Sequence, residues 1–236
     1  MTPAPHGHDG YGPELMDLRE ALYTTRAMRR VKPDPIPEEV QQRIMDAAVR
    51  APSGGNTQGW RFLLVDDRDV IGRIAPLYRE SIDFLWEHIY NERIAAAEAE
   101  PDLPESKQML AIQRSVEWAA DNFSQYPLLL FGFTSGLDDG GSIFPAVWSA
   151  MLAARAEGVG SSLTSILVVK GDDVTELLGV PTDEGWRMMC CVPMGYPLGR
   201  WGVAARQPAH GVTYKNHWGN ATGWDLSTPL WSPAGG

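Results

Sequence analysis

The stretch Leu128-Leu129-Leu130-Phe131-Gly132-Phe133-Thr134 sets the tightest limit on the fold. Consecutive strand residues point to opposite faces, so a run that is apolar almost throughout belongs in the middle of a sheet with cover on both sides. It is far shorter than the ~18 apolar residues that cross a bilayer. Two more runs, Arg61 to Val65 and Met188 to Met194, carry the same strand signal.

Helical patterns lie between these runs. A first helix is expected over 14 to 28, with Leu15, Leu18 and Leu22 spaced by three and four. A second is signalled by Pro37 in its first turn, by Glu38 and Glu39 at the positive end of the dipole, and by Val40, Ile44, Ala47, Ala48 and Ala51 on one face, before Pro52 stops it. From Val70 to Phe123 the chain reads as mostly helical, with interruptions at Pro76, Pro101 and Pro104 and an apolar stripe of Met109, Ile112, Val116, Ala119 and Phe123. Gly140-Gly141-Ser142 opens a helix carrying Val147, Met151 and Ala154, which Gly158 caps. After Gly160-Ser161-Ser162-Leu163-Thr164-Ser165 a strand to Val169 and a short helix near Val174 to Leu178 are predicted. The tail 199–236 lacks periodicity, but Trp201, Trp218, Trp224 and Trp231 would expose too much apolar surface if disordered, so it is expected to pack across another subunit. One domain over 13–236 follows, preceded by a flexible lead over 1–12.

Charge narrows the function. A formal net charge of −10 argues against nucleic acid and against a basic membrane-surface helix, so any phosphate-bearing ligand must find its cations concentrated in one place. Cys190 and Cys191 are neighbours on one strand and point apart, which disfavours a disulfide between them. Zinc-type spacing is lacking, and His6 and His8 read as solvated, so no metal site is expected. Without a basic n-region and apolar core at the N-terminus, the expectation is a soluble, cytoplasmic protein without a membrane partner. There is no GxGxxG after a strand, no P-loop, no GxSxG elbow and no HExxH, while His88, His210 and His217 stand far apart in sequence.

Two segments remain. Arg26, Arg29 and Arg30 cluster at a helix end, where guanidinium forks can grip a phosphate. The loop from Pro52 to Gln58 offers unobstructed backbone amides together with the Asn56 and Gln58 side chains, suited to the edge of a heterocycle.

In order, these segments resemble the nitroreductase family. Its Arg-rich RRSxRxF signature appears as Thr25-Arg26-Ala27-Met28-Arg29-Arg30-Val31, before Pro35-Ile36-Pro37. Its AAxxAPSxxNxQPW signature is met by Ala47-Ala48-Val49-Arg50-Ala51-Pro52-Ser53-Gly54-Gly55-Asn56-Thr57-Gln58-Gly59-Trp60. The small-residue run at 158–165, Val192-Pro193-Met194-Gly195-Tyr196-Pro197 and Arg206-Gln207-Pro208 complete a likeness from about Leu18 to Trp218. Ala27 departs from the usual Ser, and Gly59 from the usual Pro.

The resemblance implies an α+β fold, with a central, mainly antiparallel sheet flanked by helices in an intertwined homodimer. It implies FMN in interfacial grooves, NAD(P)H as electron donor, and a small-molecule acceptor such as a nitroaromatic or quinone. Arg26 and Arg29 would hold the FMN phosphate, with the Ala27 backbone beside them and Arg206 reaching in from the tail. Pro52, Ser53 and Asn56 would line the flavin from the partner subunit, and Leu163, Thr164 and Ser165 would face flavin N5, where an amide or hydroxyl donates a hydrogen bond. The excursion over 78–123 would form the substrate lid. Alternatives within the resemblance are an oxidase or dehydrogenase, a reductive dehalogenase and a flavin-consuming biosynthetic enzyme; a non-catalytic redox sensor is a further one.

Overall fold

Leu128–Thr134 forms β2, and every residue of it is buried. The computed structural model describes residues 16–136 and 138–232; the lead over 1–12, with His6 and His8, lies outside the described residues. Around β2 stand β1 (Trp60–Val65), the two-residue β3 (Gly160–Ser161) and β4 (Arg187–Gly195), in the order β1-β2-β4-β3 with all three pairings antiparallel. Its two faces feed two cores. Leu128 and Leu130, with Cys190, Val192 and Met194, pack against α2 (Glu38–Ala48) and α6 (Ile143–Ala156). Leu129, Phe131 and Phe133, with Met188 and Cys191, pack against α3 (Arg68–Phe84) and α5 (Pro104–Asp121).

The adjacent cysteines therefore sit in different cores, both as free thiols. Burying a Leu or Phe side chain contributes about 1.5 to 3 kcal/mol, against ~1 kcal/mol for a helix cap, so β2 anchors the architecture more firmly than any single helix end. Gly132 is where α6 seats on the sheet: a Cβ there would lie 3.1 Å from Cys190 Sγ and 3.3 Å from Ile143 Cγ1. The result is an α+β fold with a helix-covered antiparallel sheet.

Several expectations change. Among the described residues the first helix, α1, spans Leu18–Thr24, the expected Leu15 lying outside them, and its Leu18 and Leu22 are exposed; the chain leaves helix at Thr25 because the next residues pair with other segments. Pro76 does not interrupt α3: Ile71, Ile74, Tyr78 and Ile82 bury one face of it, which offsets the ~3 kcal/mol that an interior proline costs. Leu85–Ile89 is a π-turn, α4 covers Asn91–Ala99, and Pro104 begins α5. Ile112 leaves the buried stripe of α5 and is exposed. The ends of the 78–123 excursion are core, since Tyr78 and Phe123 stack there at 4.2 Å.

The predicted strand to Val169 is absent. β3 stops at Ser161, Ile166–Lys170 forms a 3-10 helix exposing Val168 and Val169, and α7 (Gly171–Leu177) follows. Within the described tail, Trp201 and Trp231 pack on their own chain, against Arg155 and Tyr23, whereas Trp218 is 91% exposed. Among the described residues no helix is long and apolar enough to cross a membrane, and no cluster of His, Cys, Asp or Glu is placed to hold a metal ion.

Candidate active site

Beyond α1 the chain runs extended and is laced to the far edge of the sheet. Ala27 bridges Ser161 in parallel, and the Met28 N–H donates to the Ser161 carbonyl at 2.9 Å. Further on, Lys32 N–H donates to Tyr196 O at 2.7 Å, and Leu198 N–H to Arg30 O at 2.9 Å. Two glycines permit this approach. A Cβ on Gly160 would lie 2.9 Å from Met28 Cβ, and one on Gly195 would lie 2.7 Å from Val31 Cγ2. Met28 and Val31 thereby enter the interior while Arg26 is exposed and Arg29 half-buried. The Arg29 backbone is fixed from below, because the buried Tyr126 hydroxyl donates to its carbonyl at 2.5 Å. Burial also pushes the Tyr126 phenol well above its ordinary range, so at neutral pH it is the donor.

Arg29 opens onto a cleft of about 500 Å³. One side is the edge loop Leu163-Thr164-Ser165, where Thr164 extends the sheet by exchanging two 2.8 Å backbone bonds with Cys191. No group among the described residues accepts from the Ser165 N–H. Tyr78 rises beneath; burial raises its pKa to about 12, against the pull of the Arg29 charge and of the Thr164 side chain it faces.

Trp86, Tyr90, Arg93 and Ile112 form the opposite side. This wall stands on the π-turn, a form that recurs at functional sites. It is braced from behind, since Glu117 accepts from the Trp86 indole N–H through one oxygen and from Arg79 at 2.8 and 2.9 Å through the other.

The expected site residues divide into groups. Arg29, Leu163, Thr164 and Ser165 border the one cleft. Arg26 donates to the Arg200 carbonyl at 2.9 Å, and Ala27 is held by its backbone. Arg206 lies in a second cavity of about 410 Å³, which it shares with Thr25 and Trp148. Pro52, Ser53 and Asn56 stand at the entrance to β1, the opposite edge of the sheet, three strand spacings or on the order of 14 Å away. That loop is shaped by positive φ at Gly55, Asn56 and Gln58, and by Ser53 Oγ accepting from Gln58 N–H at 3.1 Å. Sequence reasoning missed Tyr126, Glu117 and Arg93. Only Arg93 left a readable signal, the i,i+3 spacing from Tyr90 that puts its guanidinium 5.2 Å from that ring.

An antiparallel sheet whose edge loop and arginine-bearing segment open one cationic cleft defines an α+β ligand-binding domain. The model of the nitroreductase family matches residues 22–196, and the chain belongs to that family.

Among curated relatives, the 5,6-dimethylbenzimidazole synthase of Rhodospirillum rubrum is 30% identical over 221 residues, covering 84% of this chain and 94% of its own. The iodotyrosine deiodinase of Danio rerio is 26% identical over 200 residues, 78% of this chain, and the match spans 62% of that relative's length. Of solved structures, iodotyrosine deiodinase bound to FMN and 3-iodo-L-tyrosine superposes with a TM-score of 0.65 at 25% identity, covering 81% of this chain and 95% of that one. An FMN-dependent nitroreductase from Mycobacterium smegmatis in complex with NADPH shares the fold, with a TM-score of 0.61 at 21% identity over 84% of this chain and 96% of that one.

Proposed function

We propose that this chain is an FMN-dependent oxidoreductase that takes hydride from NAD(P)H and passes reducing equivalents to a small, electron-poor conjugated acceptor, working as a homodimer in the cytoplasm. The observation that carries this reading is the single cleft bordered by both Arg29 and the Leu163–Ser165 edge loop. The residues fit FMN. Arg26, Arg29 and Arg206 make no ion pair among the described residues, and the Thr25 hydroxyl is buried without a hydrogen-bond partner. Guanidinium groups without a carboxylate partner, and a buried hydroxyl without an acceptor beside Arg206, suit a phosphate.

When bound, FMN supplies the hydride-accepting ring. This chain's own residues would bind and orient it: Arg26 and Arg29 would hold the phosphate, with Arg206 approaching from the tail. With the group in place, the Ser165 N–H and the Thr164 hydroxyl would lie toward the ring, Trp86 and Tyr90 would exclude water, and Pro52, Ser53 and Asn56 of a second copy would complete the groove.

The test is spectroscopic. Purified protein should show the visible absorption of oxidised flavin, and anaerobic NADH or NADPH should bleach it before any acceptor is added. Donor and acceptor must each bring reacting atoms to about 3 to 3.5 Å of the same ring, so they compete for one cleft and turnover should be ping-pong. A colourless protein indifferent to FMN ends the proposal. Bleaching by an organic substrate but not by NAD(P)H moves it to the dehydrogenase reading. The 30% identity to a 5,6-dimethylbenzimidazole synthase favours one second reading, in which the flavin is consumed. Disappearance of FMN with release of a product of that mass would select it.

A further inference from the structure

We infer that the cleft selects aromatic acceptors bearing a negative charge, a carboxylate above all, and that Arg93 is the residue that selects them. The substrate role rests on the function proposed above. The charge preference rests on the chain itself.

In a chain of net charge −10, the cleft is lined, among the described residues, by two arginines, Arg29 and Arg93, and by no carboxylate. The contrast with the cavity beside it is sharp: Glu80, Asp83, Glu87, Asp172 and Asp173 line that space of about 640 Å³, against one lysine, Lys170, which is paired with Glu80. An anion approaching this side of the molecule is therefore repelled from one opening and drawn to the other. With Arg29 assigned to the cofactor phosphate, Arg93 is the cation left for the substrate. It makes no ion pair or hydrogen bond among the described residues, and its guanidinium lies over the Tyr90 ring, 5.2 Å from the centroid.

An aromatic ring entering between Trp86, Tyr90 and Ile112 would bring a ring carboxylate to the guanidinium fork, whose paired donors match two carboxylate oxygens. Among the described residues nothing acidic lines the cleft to meet an ammonium group. A monoanion therefore fits better than an amino-acid zwitterion.

The experiment is calorimetric titration of the FMN-loaded protein, without NAD(P)H, using 4-nitrobenzoate and its neutral isostere 4-nitrobenzamide. The acid should bind about tenfold more tightly than the amide. Arg93→Gln should bring the acid down to the amide's affinity and Arg93→Lys should retain part of the preference, while Arg73→Gln, at an exposed position on α3, should leave it intact. Equal binding of acid and amide to the unaltered protein, or a preference that survives in Arg93→Gln, overturns the inference. Repeating the titration on protein that has not been given FMN separates the two readings. Acid preference without FMN uptake keeps the role of Arg93 and ends the flavin proposal; FMN uptake without acid preference does the reverse.

Discussion

Arg155 and Arg29 are both withdrawn from solvent in an acidic chain, yet what meets them differs. Arg155 is 5% exposed and fully engaged: Nε donates to Thr24 Oγ1 at 2.8 Å, Nη2 to Glu20 at 3.0 Å, and the group lies 4.2 Å from the Trp201 ring centroid. Burial lowers its pKa, opposed by Glu20. It is a structural rivet joining α1, α6 and the start of the tail. Arg29 has no such partners among the described residues and opens on the cleft. Arg155→Ala should therefore lower folding stability by about 3 kcal/mol, seen as a shift in urea midpoint, because it leaves Glu20 and Thr24 without their donor. Arg29→Ala should leave that midpoint nearly unchanged but weaken FMN retention by about 2 to 5 kcal/mol in a titration, with Arg61→Ala as an inert control. If Arg29→Ala behaves like Arg61→Ala, the phosphate assignment is wrong.

Two connections between elements carry their own tests. The Trp86 wall depends on Glu117, reached from α5, and on Arg79, reached from α3. Glu117→Ala should loosen the wall and change KM among acceptors more than it changes FMN affinity, at a stability cost of about 1 kcal/mol because the site is partly exposed. Unaltered acceptor preference would show that the brace does not shape the cleft.

The entry to α6 is held by Asp138, which accepts from the Gly140 and Ser142 N–H groups at 3.0 and 3.3 Å and from Thr134 Oγ1 at 3.0 Å. Burial raises its pKa, but these donors outweigh it and the net shift is downward. A carboxylate with a depressed folded-state pKa adds stability above its unfolded pKa of about 3.9 and loses it as pH falls through the folded value. The stability gap between the unaltered protein and Asp138→Ala should be about 0.5 to 2 kcal/mol at neutral pH and should close progressively below about pH 4. A gap that stays constant down to acid pH would remove the carboxylate from the account.

On the scale of the whole molecule, the proposed site is divided between opposite sheet edges. The row Leu63, Phe131, Cys191, Thr164 crosses the sheet from one edge to the other, so no bending of one chain brings Pro52–Asn56 to the Arg29 cleft without breaking the core pairings. Two chains related by a two-fold axis meet the need. Light scattering should give twice the 26.0 kDa chain mass. A mixture of Arg29→Ala and Asn56→Ala chains, denatured and refolded together, should recover FMN binding at about half of the grooves in the mixed dimers, since one groove there has both native halves. Recovery no better than in the separate variants would place the loop elsewhere.

The sequence by itself determined the three long strands, β1, β2 and β4. An apolar run of 7 residues without helical period fits a buried strand, and so the bounds expected for β2 match the structure residue for residue. The same alternation separated Cys190 from Cys191; the arginine cluster singled out Arg29, and the family resemblance named Leu163–Ser165, which border the same cleft. What only the tertiary structure decided concerns segments whose local preference is weak or opposed. Pro76 stays helical because Ile71, Ile74, Tyr78 and Ile82 outweigh its cost, and Val168 and Val169 do not become strand because β3 ends at Ser161. Thr25 to Val31 is extended because Ser161, Tyr196 and Arg30 exchange bonds along it with Met28, Lys32 and Leu198. Arg93 and Glu117 lie outside every motif. The place of Arg93 on the cleft and of Glu117 behind Trp86 comes from the packing of α3, the π-turn and α5, a long-range term that no window of neighbouring residues contains.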